Sequence, residues 1–276
     1  MITDLNQQKS PAWEKVMTAR SEERFNGLEI MNAIFESFFE LHGDRSYGDD
    51  CAVAGGLAYL GQRPVTVILQ QKGRGYSQRL SHRNGMMLPE GYRKALRLMK
   101  QAEKFNRPIV CIIDTPGAYP GVEAEQRGQA EAIARNICEM SILKVPVLSL
   151  IIGEGGSGGA LALGVANRII MLENAVFSVV SPEGCASILW KDSSRAPQAA
   201  EQLKLTSAEL QQLQVIDSIV QEGENSEDMY DEIRKKITSS FDQLCNLTPT
   251  QIVEQRIQKF RRMGIPSDTK GEICYR

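Results

Sequence analysis

The segment from Gly153 to Gly164, GEGGSGGALALG, places five glycines in seven positions directly behind the apolar run VPVLSLII of residues 145–152. Glycine loses more backbone freedom on folding than any other residue, so such a cluster marks backbone that turns sharply or comes close to a ligand. Three chemistries compete for it. Residues 153–158 fit GxGxxG between a strand-like and a helix-like run, and Glu173 ends the next apolar run where a ribose-binding acid would stand, which is the pattern of a nucleotide-binding oxidoreductase. Against it, the intervening helix is short, Glu173 follows Gly158 by only 15 residues, and three strands precede a motif that usually opens its domain. Residues 155–159 also fit GxSxG with Ser157 as nucleophile, but the α/β-hydrolase order needs a histidine downstream, and His42 and His82 both lie upstream. A P-loop fails because no Lys-Ser or Lys-Thr follows the glycines. The third chemistry uses backbone alone. Glycines at a strand end that run into a helix leave unpaired N–H groups at the positive end of the helix dipole, and two such donors make an oxyanion hole.

The surrounding pattern predicts the elements that hold this segment. Leu28, Met31, Ile34 or Phe35, and Phe38 share one helical face. From Cys51 the signal turns to strand, with CAVAGGLAYL and PVTVILQQ joined at Gly61-Gln62 as a hairpin. A loop, KGRGYSQRLSHRNGMM, leads to a helix that starts at Pro89 and carries Tyr92, Leu96, Met99 and Ala102 on its apolar stripe. Strand PIVCIID, loop TPGAYPGV and a helix over AEQRGQAEAIARNICEM follow, then strand VPVLSLII, loop GEGGSGG, helix ALALGVA and strand RIIML. Alternation of this kind implies parallel βαβ units, in which ligands gather at the loops leaving the carboxyl ends of strands. A short strand AVFSVV and a helix over SPEGCASILW come next, and near the C-terminus Val253, Ile257 and Phe260 mark a packing helix.

Bulk properties exclude several classes. With 32 basic and 34 acidic residues among 276, no global charge calls for nucleic acid or an anionic membrane. The N-terminus has no secretory pattern and no run approaches a membrane span, so the chain reads as soluble and cytoplasmic. Six scattered cysteines, Cys51, Cys111, Cys138, Cys185, Cys245 and Cys274, read as buried reduced thiols rather than a metal or disulfide framework. Between Lys72 and Arg107 ten basic residues face two acidic ones, an excess that would attract an anion beside a ligand-facing loop. Asp114 reads as a turn-fixing acceptor for the TPG that follows it.

The runs KGR (72–74), PEGYRKALRLM (89–99), DTPGAYPGVEAEQRGQAEAIARN (114–136), IGEGGSGGALALG (152–164) and SPEGCASILWK (181–191) resemble the carboxyltransferase alpha subunit of bacterial acetyl-CoA carboxylase, in that family's order. The likeness extends from about His42 to Val220. It departs from the family after KGR, where Gly75-Tyr76-Ser77-Gln78 replaces a Thr-Lys-Glu-like stretch. The resemblance implies an α/β, crotonase-like (ClpP/crotonase) spiral of repeated ββα units over 46–221, with helical segments at 1–45 and 222–276. It implies transfer of a carboxyl group from carboxybiotin, supplied on a biotin carboxyl carrier protein that biotin carboxylase recharges, to acetyl-CoA, giving malonyl-CoA. It further implies an α2β2 heterotetramer with a zinc-ribbon-bearing beta subunit and no metal on this chain. On that basis Gly158 and Gly159 form the oxyanion hole. Gly155, Gly156, Gly117, Ala118 and Tyr119 line the biotin and substrate site, and Lys72 and Arg74 meet CoA phosphates or the carboxylate. An inactive scaffold of the same fold is the non-catalytic alternative.

Overall fold

The computed structural model describes residues 10–223 and 225–263. Cys274, Glu224 and the outermost parts of both helical extensions lie outside the described residues. Helix α1 (Pro11–Arg20) begins with proline in its first turn and Ser10 accepting from Trp13 N at 3.1 Å. Helix α2 (Gly27–Ile34) is started by a capping box between Asn26 and Glu29. The helical face expected to reach Phe38 stops short, because residues 36–40 form strand β1 (Glu36–Glu40), and α2 buries Ile30, Met31 and Ile34 while Leu28 stays exposed. Strands β2 (Val53–Leu60) and β3 (Arg63–Gln70) make the expected hairpin, with Gly61 at φ +58 in its two-residue turn.

The segment expected to be loop contains helix α3 (Gly75–Ser81), which buries no residue and therefore leaves no apolar period to read. Helix α4 (Pro89–Lys104) buries Tyr92, Ala95, Leu98, Met99 and Ala102, with Leu96 only half-buried. After strand β4 (Ile109–Thr115), the single expected helix is two, α5 (Val122–Gln126) and α6 (Gln129–Ile142), broken where Gly128 adopts φ +82. Strand β5 (Val147–Gly156) differs most from expectation. It runs through the first glycines of the cluster and passes at Ser157 into helix α7 (Ser157–Leu161), only five residues long. The rest of the chain supplies β6 (Arg168–Leu172), β7 (Val176–Ser178), α8 (Pro182–Trp190), α9 (Ala196–Leu203), α10 (Ser207–Gln212), β8 (Ser218–Val220), α11 (Ser226–Leu244) and α12 (Pro249–Arg262).

The sheet runs β1-β2-β3-β4-β5-β6-β8, antiparallel through β3 and parallel beyond it, while β7 pairs with the carboxyl end of β5. Two strands followed by helix recur as β2-β3 with α3 and α4, and as β6-β7 with α8. Strand β4 is buried at every position, as its unbroken apolar run requires of a central parallel strand. Helices α2 and α11 share this core, the latter through Met229, Ile233, Ile237 and Phe241. Of the five described cysteines only Cys111 and Cys185 are buried; Cys51, Cys138 and Cys245 are exposed, against the expectation of uniformly buried thiols.

Helix α12 faces the core with Ile252 and Arg256 rather than with the expected Val253 and Ile257. The Arg256 guanidinium is fully buried and donates to the carbonyls of Met140 and Leu143 at 2.8 Å, to that of Val145 at 2.9 Å and to Asn167 Oδ1 at 2.6 Å. Burial pulls its pKa down to about 10, so it stays charged at neutral pH against the carbonyl end of α6. Replacing Arg256 with alanine is expected to cost about 3 kcal/mol, since three buried carbonyls lose their donor. Urea unfolding of the variant would test this, and a change under about 0.5 kcal/mol, the size of an ordinary surface substitution, would contradict it.

Candidate active site

Strands β4 and β5 end side by side, with Thr115 paired to Gly155. The chain leaving β4 then crosses the start of α7 at backbone contact. A Cβ on Gly156 would run into the Pro116 carbonyl oxygen, and one on Gly159 would lie 2.5 Å from the Gly117 carbonyl carbon and 2.8 Å from Ala118 N. Neither glycine adopts a positive φ, so both are required by proximity rather than by an unusual dihedral. Gly158 differs, since the nearest heavy atom to a Cβ there is Ile133 Cγ2 at 3.4 Å.

Ser157 makes the turn from strand to helix at φ 51, in the left-handed region that costs a non-glycine residue about 1–2 kcal/mol. It is exposed, and among the described residues no histidine or carboxylate hydrogen-bonds its hydroxyl, so the bend lacks the base a nucleophile needs. No side chain caps α7, and helix geometry leaves its first-turn N–H groups without intrahelical acceptors. With five residues the helix has little macrodipole, and these donors act as local groups rather than as the end of a dipole. Beside Gly158 an apolar groove of about 310 Å³ is lined by Leu161, Phe177, Val179, Leu203, Leu210 and Val215.

Behind the glycines lies a charge network. Lys72 Nζ stands 2.8 Å from Asp114 Oδ1 and 2.9 Å from Glu154 Oε2. Glu154 Oε1 accepts from Arg20 Nε at 2.8 Å, and Arg20 also grips Glu183 at 2.6 and 3.2 Å. Burial works to lower the Lys72 pKa, but the two carboxylates overcome it and hold the ammonium charged. Burial works to raise Glu154, and Lys72 and Arg20 keep it below its ordinary value. A second arginine from the same N-terminal segment, Arg24, pairs with Glu222 at 2.6 Å and donates to the Ile152 carbonyl, so two arginines hold the end of β5. Asp114 Oδ1 accepts from Glu154 N at 2.9 Å, tying strand to strand; the following turn is fixed by Thr115 instead, whose hydroxyl accepts from Gly117 N at 3.2 Å.

Lys72, expected to meet a ligand anion, is thus committed to two carboxylates of its own chain. The wider basic excess dissolves in the same way. Seven of the ten residues, Lys72, Arg74, Arg79, Arg83, Arg93, Lys94 and Lys100, have carboxylate partners, most of them supplied from outside 72–107. Arg74 pairs with Glu29 at 2.5 Å with more than half of its side chain exposed, leaving it open to solvent and to an anion. Tyr119 sits half-buried with the Arg83 guanidinium 5.8 Å from its ring, and Ala118 lies with it on the wall facing Gly159. Sequence reasoning assigned nothing to Arg20, Glu154 or Glu183. A lone charge such as Glu154, set between an apolar strand and a run of glycines, was the available signal.

Comparison with known proteins now defines the class. The fold matches a transcarboxylase 12S structure with a TM-score of 0.70 at 17% identity, over 84% of this chain and 44% of that one. It matches a chain of a Pseudomonas malonate decarboxylase hetero-tetramer with a TM-score of 0.67 at 18% identity, over 86% of this chain and 94% of that one. The architecture is therefore the crotonase-like α/β fold. Residues 4–264 match the family model described as acetyl co-enzyme A carboxylase carboxyltransferase-like. Proteins named acetyl-coenzyme A carboxylase carboxyl transferase subunit alpha are 54% identical in Listeria monocytogenes, over 92% of this chain and 81% of the relative, and 56% identical in Streptococcus gordonii, over 90% and 97%. The chain belongs to this acetyl-CoA carboxylase carboxyltransferase family, which sets aside the oxidoreductase reading of GxGxxG. Among the described residues no group of three or more His, Cys, Asp or Glu could hold a metal, and no helix is long and apolar enough to cross a membrane.

Two measurements test this construction. Because Glu154 and Glu183 titrate below their ordinary value of about 4.3, their stabilisation is complete above that pH and is lost as pH falls through the folded pKa values. Glu154→Gln should lower Tm at pH 7 and flatten its fall below about pH 4.3; an unchanged slope would contradict the network. Lys72→Met should cost about 3 kcal/mol, because it leaves the buried Asp114 carboxylate without a cation and Glu154 with Arg20 alone, whereas a residue serving only to bind ligand would leave stability intact.

Proposed function

We propose that the chain is the alpha subunit of a carboxyltransferase that moves a carboxyl group from carboxybiotin to acetyl-CoA, forming malonyl-CoA in the first committed step of fatty-acid synthesis. The observation that carries the reading at the site is the contact of Gly156 and Gly159 with Pro116–Ala118, which leaves uncapped N–H donors beside an apolar groove. That pairing of apolar walls with a polar edge suits the biotin bicycle, an apolar body with one ureido edge.

Carboxybiotin, held against the wall of Gly117, Ala118 and Tyr119, would supply the carboxyl group and, once that group is released, a ureido nitrogen basic enough to accept the proton lost from the acetyl methyl. This chain's part is positional and electrostatic. The N–H groups of Gly158 and Gly159 donate to the oxygen on which negative charge gathers. Gly156 lets the wall that runs on through Gly117, Ala118 and Tyr119 close against the turn, and Gly155 makes room for Phe177, which lines the groove. Arg74 is the exposed cation for CoA phosphates, and Lys72 acts from behind by fixing the strand ends. No side chain of the chain is needed as a general base.

The active unit is an α2β2 assembly with a zinc-ribbon beta subunit, served by a biotin carboxyl carrier protein that biotin carboxylase recharges with ATP. The exposed Val179, Ile188 and Leu189, 77, 65 and 61% accessible in the isolated chain, support an apolar face for that beta subunit near the groove. The enzyme works in the cytoplasm.

Reconstitution with a matching beta subunit should give malonyl-CoA-dependent carboxylation of biocytin. Assembly without turnover would overturn the reading in favour of an inactive scaffold. Gly159→Ala should lower kcat by at least about 100-fold, the worth of one oxyanion donor, by driving the wall off the turn. Gly158→Ala, where a Cβ has room, should lose less than Gly159→Ala, and an equal or reversed order would refute the assignment.

A further inference from the structure

Helix α7 is too short to persist by itself, since isolated helices below about 12 residues are marginal in water. What holds it is a set of three fully buried polar side chains, each donating to one carbonyl of the segment. Gln70 Nε2 reaches Gly159 O at 2.9 Å, Asn136 Nδ2 reaches Ala162 O at 3.3 Å, and Ser149 Oγ reaches Leu163 O at 2.6 Å. Asn136 and Ser149 hold the far end of the segment to α6 and β5. Gln70 alone also holds the opposite wall, because its Oε1 accepts from Asp114 N at 3.2 Å, two residues before Pro116. One planar amide at the end of β3 therefore spans from the last residues of β4 to the helix that carries Gly158 and Gly159.

We propose that Gln70 is a positioning residue for carboxyl transfer, setting the distance between the 116–119 wall and the Gly158–Gly159 donors; the inference rests on the oxyanion reading above. A buried amide beside the apolar run Val67–Leu69 costs free energy unless each polar atom is paired. Here both are paired with backbone on the two sides of the site, and the remaining amide hydrogen faces Met87 Sδ at 3.3 Å. The two bonds fix relative placement rather than contact with substrate. Displacement of about 1 Å in such a site lowers rate by about 100-fold without loss of binding surface. The expected signature is a fall in kcat at constant KM.

The test uses the reconstituted alpha–beta complex and measures kcat and KM for malonyl-CoA, together with Tm. Gln70→Met keeps volume but cannot bridge, and should lower kcat by about 30–100-fold with KM within about twofold. Gln70→Asn, whose shorter amide reaches only one of the two groups, should give a smaller fall of the same kind and serves if the methionine variant does not fold. Ser149→Ala removes an equally buried bond to the same segment, but that bond ends on Leu163 O and reaches neither Gly159 nor the carboxyl end of β4. It should lower Tm with kcat within about threefold. A Gln70 variant with kcat within about threefold of the parent, or an equal loss of kcat in Ser149→Ala, would overturn the inference. Loss of activity in Gly159→Ala alongside retention in the Gln70 variants would defeat this inference alone. Retention in Gly159→Ala would defeat the oxyanion reading and this inference with it.

Discussion

The site depends on two pieces of backbone lying closer than any side chain would permit. Where Pro116–Ala118 crosses Gly156 and Gly159, the separation leaves no room for a Cβ on either glycine, so the wall and the turn are in register only because those positions lack one. Everything behind the contact keeps it in place. Parallel pairing brings the ends of β4 and β5 together, and the register shift between Ile113 and Thr115 lets β4 turn away while β5 continues alongside β7. The sheet delivers two strand ends to one edge, and the glycines let them touch.

Close approach of backbone carries an electrostatic cost that the charge network offsets. Strand ends expose carbonyls and amides that no further strand pairs, and here Asp114 takes the Glu154 amide while Lys72 bridges the two carboxylates. Arg20, reaching in from α1, completes the arrangement by sharing Glu154 and Glu183. These ions are mostly buried, and each is paired at least once, which is the condition under which buried charge is tolerated. The N-terminal helix is thereby part of the site's support, although the linear pattern marks it only as an extension.

Much of the architecture was legible because it rests on local pattern. The β2–β3 hairpin follows from Gly61-Gln62 between apolar strands, α4 from Pro89 and its stripe, and the parallel core from unbroken apolar runs. Where tertiary context decided, the pattern misled. Phe38 continues a helical period but lies in a strand, and α3 has no buried face to reveal it. The positive charge of 72–107 looked unbalanced because its partners, among them Glu22, Glu29, Asp44 and Glu154, are distant in sequence. At the site, the long motifs located the glycines and the DTPGAYPG wall. The supporting Gln70, Asn136 and Ser149 were visible only as polar residues among apolar ones, a sign of buried hydrogen bonding that identifies no partner.

The same geometry separates the two meanings a glycine-rich turn can have. If the cluster existed to permit unusual dihedrals, its glycines would sit at positive φ, yet the residue there is Ser157, while Gly156 and Gly159 keep ordinary conformations. The chain thus places a side chain where the backbone is strained and withholds one where the backbone is relaxed. That allocation follows once steric closeness outweighs torsional ease. A strained serine costs about 1–2 kcal/mol, whereas a Cβ at Gly159 would force the wall off the turn. Ser157 then needs no role as nucleophile: its position is that of the residue around which the strand bends into the helix.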